Sequence, residues 1–82
     1  MTKLEEKLEE LGYEQDLQNR FVYIKQLDKS NIYAYLDNSK THCDLELNDI
    51  KPLTDPIDLE QLFEELNIMQ KDLEELRKHE EI

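Results

Sequence analysis

Cys43 and His42 are the pairing of nucleophile and base that this sequence offers for chemistry, and the two residues are adjacent. A catalytic thiol needs its base within hydrogen-bond reach. The surrounding segment has the alternation of a β-strand, and neighbouring residues of a strand point to opposite faces of the sheet. We therefore interpret Cys43 as a small buried apolar side chain and His42 as a surface residue. A single Cys also excludes an internal disulfide, which fits a reducing cytoplasm.

Metal ligation is the second chemistry that the residue types suggest. His42, Cys43, Asp44 and His79 form neither a Cys-x-x-Cys nor a His-x-x-x-His pattern. Residues 37–48 resemble a calcium loop in outline, but His42 stands where that loop needs Gly and Asn48 where it needs Glu. The single Gly cannot build a phosphate-binding loop. We expect no metal and no cofactor.

Paired carboxylates are abundant, and acid–base catalysis would require two of them to face each other across a cleft. The adjacent pairs are Glu5–Glu6, Glu9–Glu10, Glu64–Glu65, Glu74–Glu75 and Glu80–Glu81. All of them fall on the polar faces of predicted helices, and 82 residues leave little room for a cleft. We expect a protein that is not an enzyme.

The elements that position these residues form one α+β domain over residues 1–82, in the order α-β-β-β-α. Leucines at helical spacing predict a helix over 2–11, with Gly12 just past its end. Runs rich in aromatic and β-branched residues predict strands over 21–27, 31–36 and 41–47. Short polar turns separate the strands, so a three-stranded antiparallel meander is the economical topology. Strand alternation places Ile32, Ala34 and Leu36 on the core face, opposite Tyr33 and Tyr35.

The long C-terminal helix is predicted over 56–79, with Asp55 as N-cap and Pro56 at its first position. Its apolar residues follow a heptad-like spacing: Leu59, Leu62, Leu66, Met69, Leu73 and Leu76. The helix is longer than the strands, so part of it must find another partner. Phe63 and Ile68 widen the stripe in the first half, which we expect to be core. We expect the second half to contact the first helix or a second copy of the chain. The predicted seam of a homodimer consists of Leu66, Met69, Leu73 and Leu76.

The charge is the remaining signal, with 21 acidic against 10 basic residues and a net charge of −11. An acid excess repels phosphate, so we expect no direct binding to nucleic acid and none to an anionic membrane. No apolar run is long enough to span a bilayer, and the first residues lack the apolar core of a signal peptide. On a helix, acids three or four residues apart form rows of charge. Such rows can imitate the phosphates that a DNA-binding protein contacts, although they are also typical of an ordinary solvated surface.

The two ends of the chain carry a resemblance. The segments KLEEKLEELGYE (3–14) and DPIDLEQLFEELNIMQKDLEELRK (55–78) resemble small acidic proteins of phages and prophages of Gram-positive bacteria. The acidic α-β-β-β-α outline is similar to that of certain anti-CRISPR proteins. That resemblance implies a small inhibitor that places carboxylates in the DNA-binding groove of a host nuclease.

These observations favour a cytoplasmic interaction protein that binds a basic, nucleic-acid-binding host protein and blocks it by charge and shape. The residues predicted to bind the partner lie on the open sheet face and on the long helix: Tyr33, Tyr35, Asp44, Glu46, Glu60, Glu64, Glu74 and Glu75. The alternative is a structural protein that forms a homodimer through the C-terminal helix.

Overall fold

The computed structural model describes residues 1–80 and shows an α+β fold, as predicted, with two helices on one face of an antiparallel sheet. The sheet order is β1-β2-β3-β4. The elements are α1 (Lys3–Glu10), β1 (Glu14–Gln15), β2 (Val22–Gln26), β3 (Asn31–Leu36), β4 (Cys43–Asn48) and α2 (Pro56–Arg77). The three predicted strands and both helices are present, with ends that differ by two residues or fewer. Residues 81–82 of the predicted domain, and with them Glu81 of the last carboxylate pair, lie outside the described residues.

The fourth strand, β1, was not predicted. Glu14 pairs with Ile24 and Gln15 with Tyr23, in a segment that the sequence indicated to be a polar connection. Both residues of β1 are exposed, so the strand has no apolar alternation by which it could be recognised. It protects one side of β2 and leaves β4 as the long strand at the opposite edge of the sheet.

Both ends of α1 are fixed by local hydrogen bonds. Thr2 and Glu5 form a reciprocal capping box at its beginning. At its end, Gly12 has φ +99°, its N–H donates to the carbonyl of Glu9, and the N–H of Tyr13 donates to that of Leu8. This Schellman arrangement requires a positive φ, which Gly adopts without steric cost. The turn delivers the Tyr13 side chain into the core, where it is 2% exposed.

The sheet buries its aliphatic face under the helices, as the alternation predicted. Ile32 and Ala34 are fully buried. The strand register shows which residues of β2 face the helices, a point that the sequence left open because both faces of this strand are partly apolar. Tyr23 lies opposite Ala34 and Lys25 opposite Ile32, so a tyrosine and a lysine project toward the helices, and Ile24 lies on the open face beside Tyr33.

The prediction that the first half of α2 is core was wrong, because that half is largely exposed. The second half contacts the first helix, one of the two partners expected for it, since Leu76 packs with Leu4 and Leu8 of α1. Glu65 accepts hydrogen bonds from Lys29 N–H and Ser30 Oγ at the β2–β3 turn, which places the end of the sheet at the level of Glu65. The helix is about 33 Å long at 1.5 Å per residue, and its first part extends past that end. The large apolar side chains left exposed in the first half of α2 are Ile57, Leu59, Phe63 and Leu66.

The four residues of the predicted dimer seam differ in their exposure. Leu76 is 0% exposed within the core of its own chain, and Met69 packs against that core. Leu73 is half-buried, and Leu66 is 37% exposed. The four residues therefore do not form one exposed stripe, and Leu76 is not accessible to a second copy.

Three acids of the helices are buried and fix the layers to each other. Asp72 accepts hydrogen bonds from Tyr13 Oη and Lys25 Nζ, both at 2.9 Å. Glu5 accepts from Tyr23 Oη at 2.9 Å and from Lys40 Nζ at 3.2 Å. The third is Glu65 of α2, which accepts from Lys29 N–H and Ser30 Oγ of the β2–β3 turn. These carboxylates are structural, because burial of a charge is tolerated only with such partners.

Candidate protein-binding surfaces

The Cys43 thiol is buried in the core, 3% exposed, while the adjacent His42 side chain is half exposed and lies near Asp37. Burial, followed by the charge of Glu80, raises the pKa of Cys43 to about 11. The thiol is therefore protonated at neutral pH and weakly nucleophilic. Its burial confirms the interpretation of Cys43 as a small apolar core residue.

Residues 1–80 contain no group of three or more His, Cys, Asp or Glu that could hold a metal ion. Over the same residues, no helix is long and apolar enough to cross a membrane.

The first surface is the face of the sheet that the helices leave uncovered, here called the open face. Tyr33 and Tyr35 stack along its centre with ring centroids 6.1 Å apart. Directly across from them on β4 lie Glu46 and Asp44, and Asp49 accepts a hydrogen bond from the Tyr33 hydroxyl. Two aromatic rings thus lie beside a row of three carboxylates.

The pKa values of both tyrosines are raised, so their hydroxyls remain protonated donors. For Tyr33 the main cause is the hydrogen bond to Asp49. For Tyr35 the causes are partial burial and then the charge of Glu46. Because the Tyr33 hydroxyl already donates to Asp49, its oxygen can accept a hydrogen bond from a partner while the ring supplies apolar contact.

The open face is acidic without neutralising cations within its strands. Its strand residues other than the two tyrosines and two acids are Glu14, Val22, Ile24, Gln26, Asn31 and Asn48, as the register requires. Arg77 approaches from the edge, 3.5 Å from Asp44, whose side chain is nevertheless 89% exposed. A pair this exposed to water contributes little, so Asp44 stays available to a partner.

The predicted partner-binding residues of α2 lie on the other side of the molecule. Glu60, Glu64 and Glu74 are exposed. Glu75 is in contact with Lys78 at 3.1 Å and with Lys7 at 3.7 Å, and its pKa is lowered chiefly by the hydrogen bond from Lys78. Because the sheet separates these acids from the tyrosines, the eight residues predicted to bind a partner form two surfaces and not one.

The acidic rows expected on the helices are also interrupted. Glu5 of α1 and Asp72 of α2 are buried carboxylates of the core and not part of an exposed row. Their hydrogen-bond donors, Tyr23 and Tyr13, are distant in sequence. Spacing along one helix could not have identified them as structural residues.

The second surface, which the sequence did not reveal, is formed by the outer edge of β4 and the side of α2 next to it; we call it the edge surface. The N–H and C=O of Cys43 point away from β3, since the N–H donates to Glu80 and the carbonyl accepts from Arg77. Peptide groups alternate along a strand, so those of Leu45 and Leu47 also point away from β3. The apolar residues of α2 on this surface are Leu59, Leu62, Phe63 and Leu66.

Helical geometry places this apolar stripe on the β4 side. Leu66 precedes Arg77 by three turns, and Leu59 precedes it by five, so all three project from the same side of α2. Arg77 reaches the outer edge of β4 at Cys43. The stripe therefore continues along the same edge, past Leu47 and beyond the end of the sheet.

No protein-family model matches this sequence, and no curated protein or solved structure is significantly similar to it.

Proposed function

We propose that this protein is an acidic interaction module that binds a basic, nucleic-acid-binding protein and blocks its nucleic-acid site. The observation that carries the proposal is the open face, where two stacked tyrosines lie beside Asp44, Glu46 and Asp49. The proposal assigns the protein no catalytic step, no metal and no cofactor.

The open face has the composition of a binding hot spot for a basic partner. Tyrosine is enriched at the energetic centres of interfaces. Asp44 and Glu46 are two residues apart on one strand, about 7 Å from each other, a spacing that can engage successive cations of a partner. The net charge of −11 accelerates encounter with a cationic surface and repels nucleic acid itself.

The test is capture from a cell lysate with the tagged protein, followed by measurement of the affinity of each identified partner at several salt concentrations. The variant Asp44→Asn/Glu46→Gln should weaken binding and flatten its salt dependence, because two charge contacts are lost. Duplex DNA should displace the partner from the wild-type protein.

A matched control removes the same charge from the solvent side of α1. The variant Glu6→Gln/Glu10→Gln should bind like the wild-type protein at a given salt concentration, apart from a small general loss of attraction. Equal weakening by both double variants, or a partner that duplex DNA fails to displace, would contradict the proposed blocking of a nucleic-acid site through the open face.

A further inference from the structure

We propose that the edge surface binds one extended segment of a partner protein, which pairs with β4 as an additional strand and alternates apolar with basic residues. This inference rests on the proposed function in one respect, namely that the partner is basic. It concerns the outer edge of β4, whose acids Asp44 and Glu46 also belong to the open face.

The backbone supplies the first argument. The outward N–H and C=O groups of Leu45 and Leu47 form a template for strand addition. Cys43 shows how this edge accepts partners, because Glu80 and Arg77 already occupy its N–H at 3.1 Å and its C=O at 3.1 Å. The side chains of Arg77 and Glu80 thus close one end of the edge, and no strand within residues 1–80 pairs with the part toward Leu47.

The apolar side of α2 supplies the second argument. Phe63 is 57% exposed, Leu59 46% and Leu66 37%, at the spacing of one helical face. A strand added to β4 would place every second side chain on the helix side of the sheet, where these residues lie. The same segment, continuing past the end of β4, would contact Phe63 and Leu59.

Charge identifies the occupant as a basic segment. From Asp55 to Gln70 the chain contains no Lys or Arg, while Glu60, next to Leu59, is exposed there. On the open face, the residues of β4 that would lie beside an added strand are Asp44 and Glu46. A partner with Lys or Arg at alternate positions would face these acids across the new strand pair, and opposite charges in that position are favourable.

A second copy of this chain is a poorer occupant for the same reason. Antiparallel pairing of two β4 strands with Leu45 opposite Leu45 would place Asp44 against Glu46. Pairing of Leu45 with Leu47 would place Glu46 against its own copy. Like charges directly opposite each other destabilise a strand pair, and the acidic first half of α2 would add to the repulsion.

The experiment uses two synthetic peptides of equal composition and charge. One alternates lysine and valine over seven residues, and the other has its lysines and valines in two blocks. Binding to the isotopically labelled full chain is measured by NMR, together with hydrogen exchange at the amides of Leu45 and Leu47. At ten times its Kd, the alternating peptide should slow exchange of those two amides about tenfold and bind more tightly than the block peptide.

Two variants locate the site. Phe63→Ala should weaken the alternating peptide about tenfold, because it removes a ring that a bound strand would cover. Ile57→Ala is the matched control, since Ile57 is 72% exposed on a different side of the same helix, and it should leave the affinity unchanged. Circular dichroism should show both variants folded.

The inference is overturned if the two peptides bind equally, or if neither binds at millimolar concentration. It is also overturned if binding leaves the hydrogen exchange of the Leu45 and Leu47 amides unchanged. That result would be expected of a peptide that docks as a helix and forms no hydrogen bonds with β4. A concentration-dependent dimer in sedimentation that Phe63→Ala dissociates would assign the surface to a second copy. The variant Asp44→Asn/Glu46→Gln removes acids that both proposals use. Displacement by duplex DNA tests the proposed function alone, and the Phe63→Ala variant with the exchange of Leu45 and Leu47 tests the edge surface alone, so either proposal can fail while the other stands.

Discussion

Replacement of Leu76 by Ala should destabilise this protein far more than the same replacement of Leu66. Both leucines belong to the same heptad-like pattern on α2. Leu76 is 0% exposed and lies in the cluster with Leu4, Leu8 and Ile32. Leu66 is 37% exposed and lies on the side of the helix that does not face this cluster.

The expected loss in the free energy of unfolding differs because Leu76 is enclosed and Leu66 is partly exposed. Removal of three carbons from an enclosed site such as that of Leu76 leaves a cavity, and such changes cost about 2–5 kcal/mol, here taken as about 3 kcal/mol. Leu66→Ala leaves no enclosed cavity and loses only part of a side-chain burial, about 1 kcal/mol. A domain of this length has a free energy of unfolding of roughly 4–12 kcal/mol, so the first change removes a large fraction of the stability.

Urea unfolding followed by far-ultraviolet circular dichroism measures both changes. With an m-value of about 1 kcal/mol/M, the midpoint should fall by about 3 M for Leu76→Ala and by about 1 M for Leu66→Ala. Sedimentation should show the same mass for both variants as for the wild-type protein. Equal shifts of the midpoint would refute the assignment of core and surface along α2. A Leu76→Ala variant that kept its stability but lost a dimer would refute it more directly and restore the predicted seam.

Two further predictions concern the buried acids. Asp72→Asn should lower the free energy of unfolding by about 2 kcal/mol, because it leaves Lys25 partly buried without its anion; addition of Lys25→Met should recover much of that loss, and a double variant no better than Asp72→Asn would refute the coupling. The pKa of Glu5 is lowered despite burial, because Thr2 N–H, Tyr23 Oη and Lys40 favour the carboxylate. A lowered pKa means that this carboxylate contributes stability above the ordinary value of 4.5 and loses the contribution as the pH falls through the folded value. Glu5→Gln should therefore be less stable than the wild-type protein at pH 7 and show a smaller loss of stability on acidification; parallel stability curves for the two proteins would contradict this account.

The elements of this fold could be predicted because their signals are local. Thr2, Gly12, Asp55 and Pro56 each act through their own backbone and a few neighbouring residues, so helix ends can be recognised in the sequence. The alternation of Ile32 and its neighbours fixed the core face of β3 in the same way. The prediction of Tyr33, Tyr35, Asp44 and Glu46 on one face followed from alternation alone, and the register of β3 with β4 confirms that they are neighbours.

The tertiary structure alone decided which acids and which leucines are available at the surface. A heptad spacing identifies one side of α2, but not which half of that side the sheet covers. That depends on the position of α2 along the sheet, which is fixed by contacts such as those of Glu65 with the β2–β3 turn. Glu5, Glu65 and Asp72 look like other surface acids until distant donors are brought to them. The edge surface likewise required the order of the strands, since no property of Leu45 or Leu47 in the sequence indicates that β4 lacks a neighbour. These features depend on contacts between residues far apart in the chain, which local pattern does not encode.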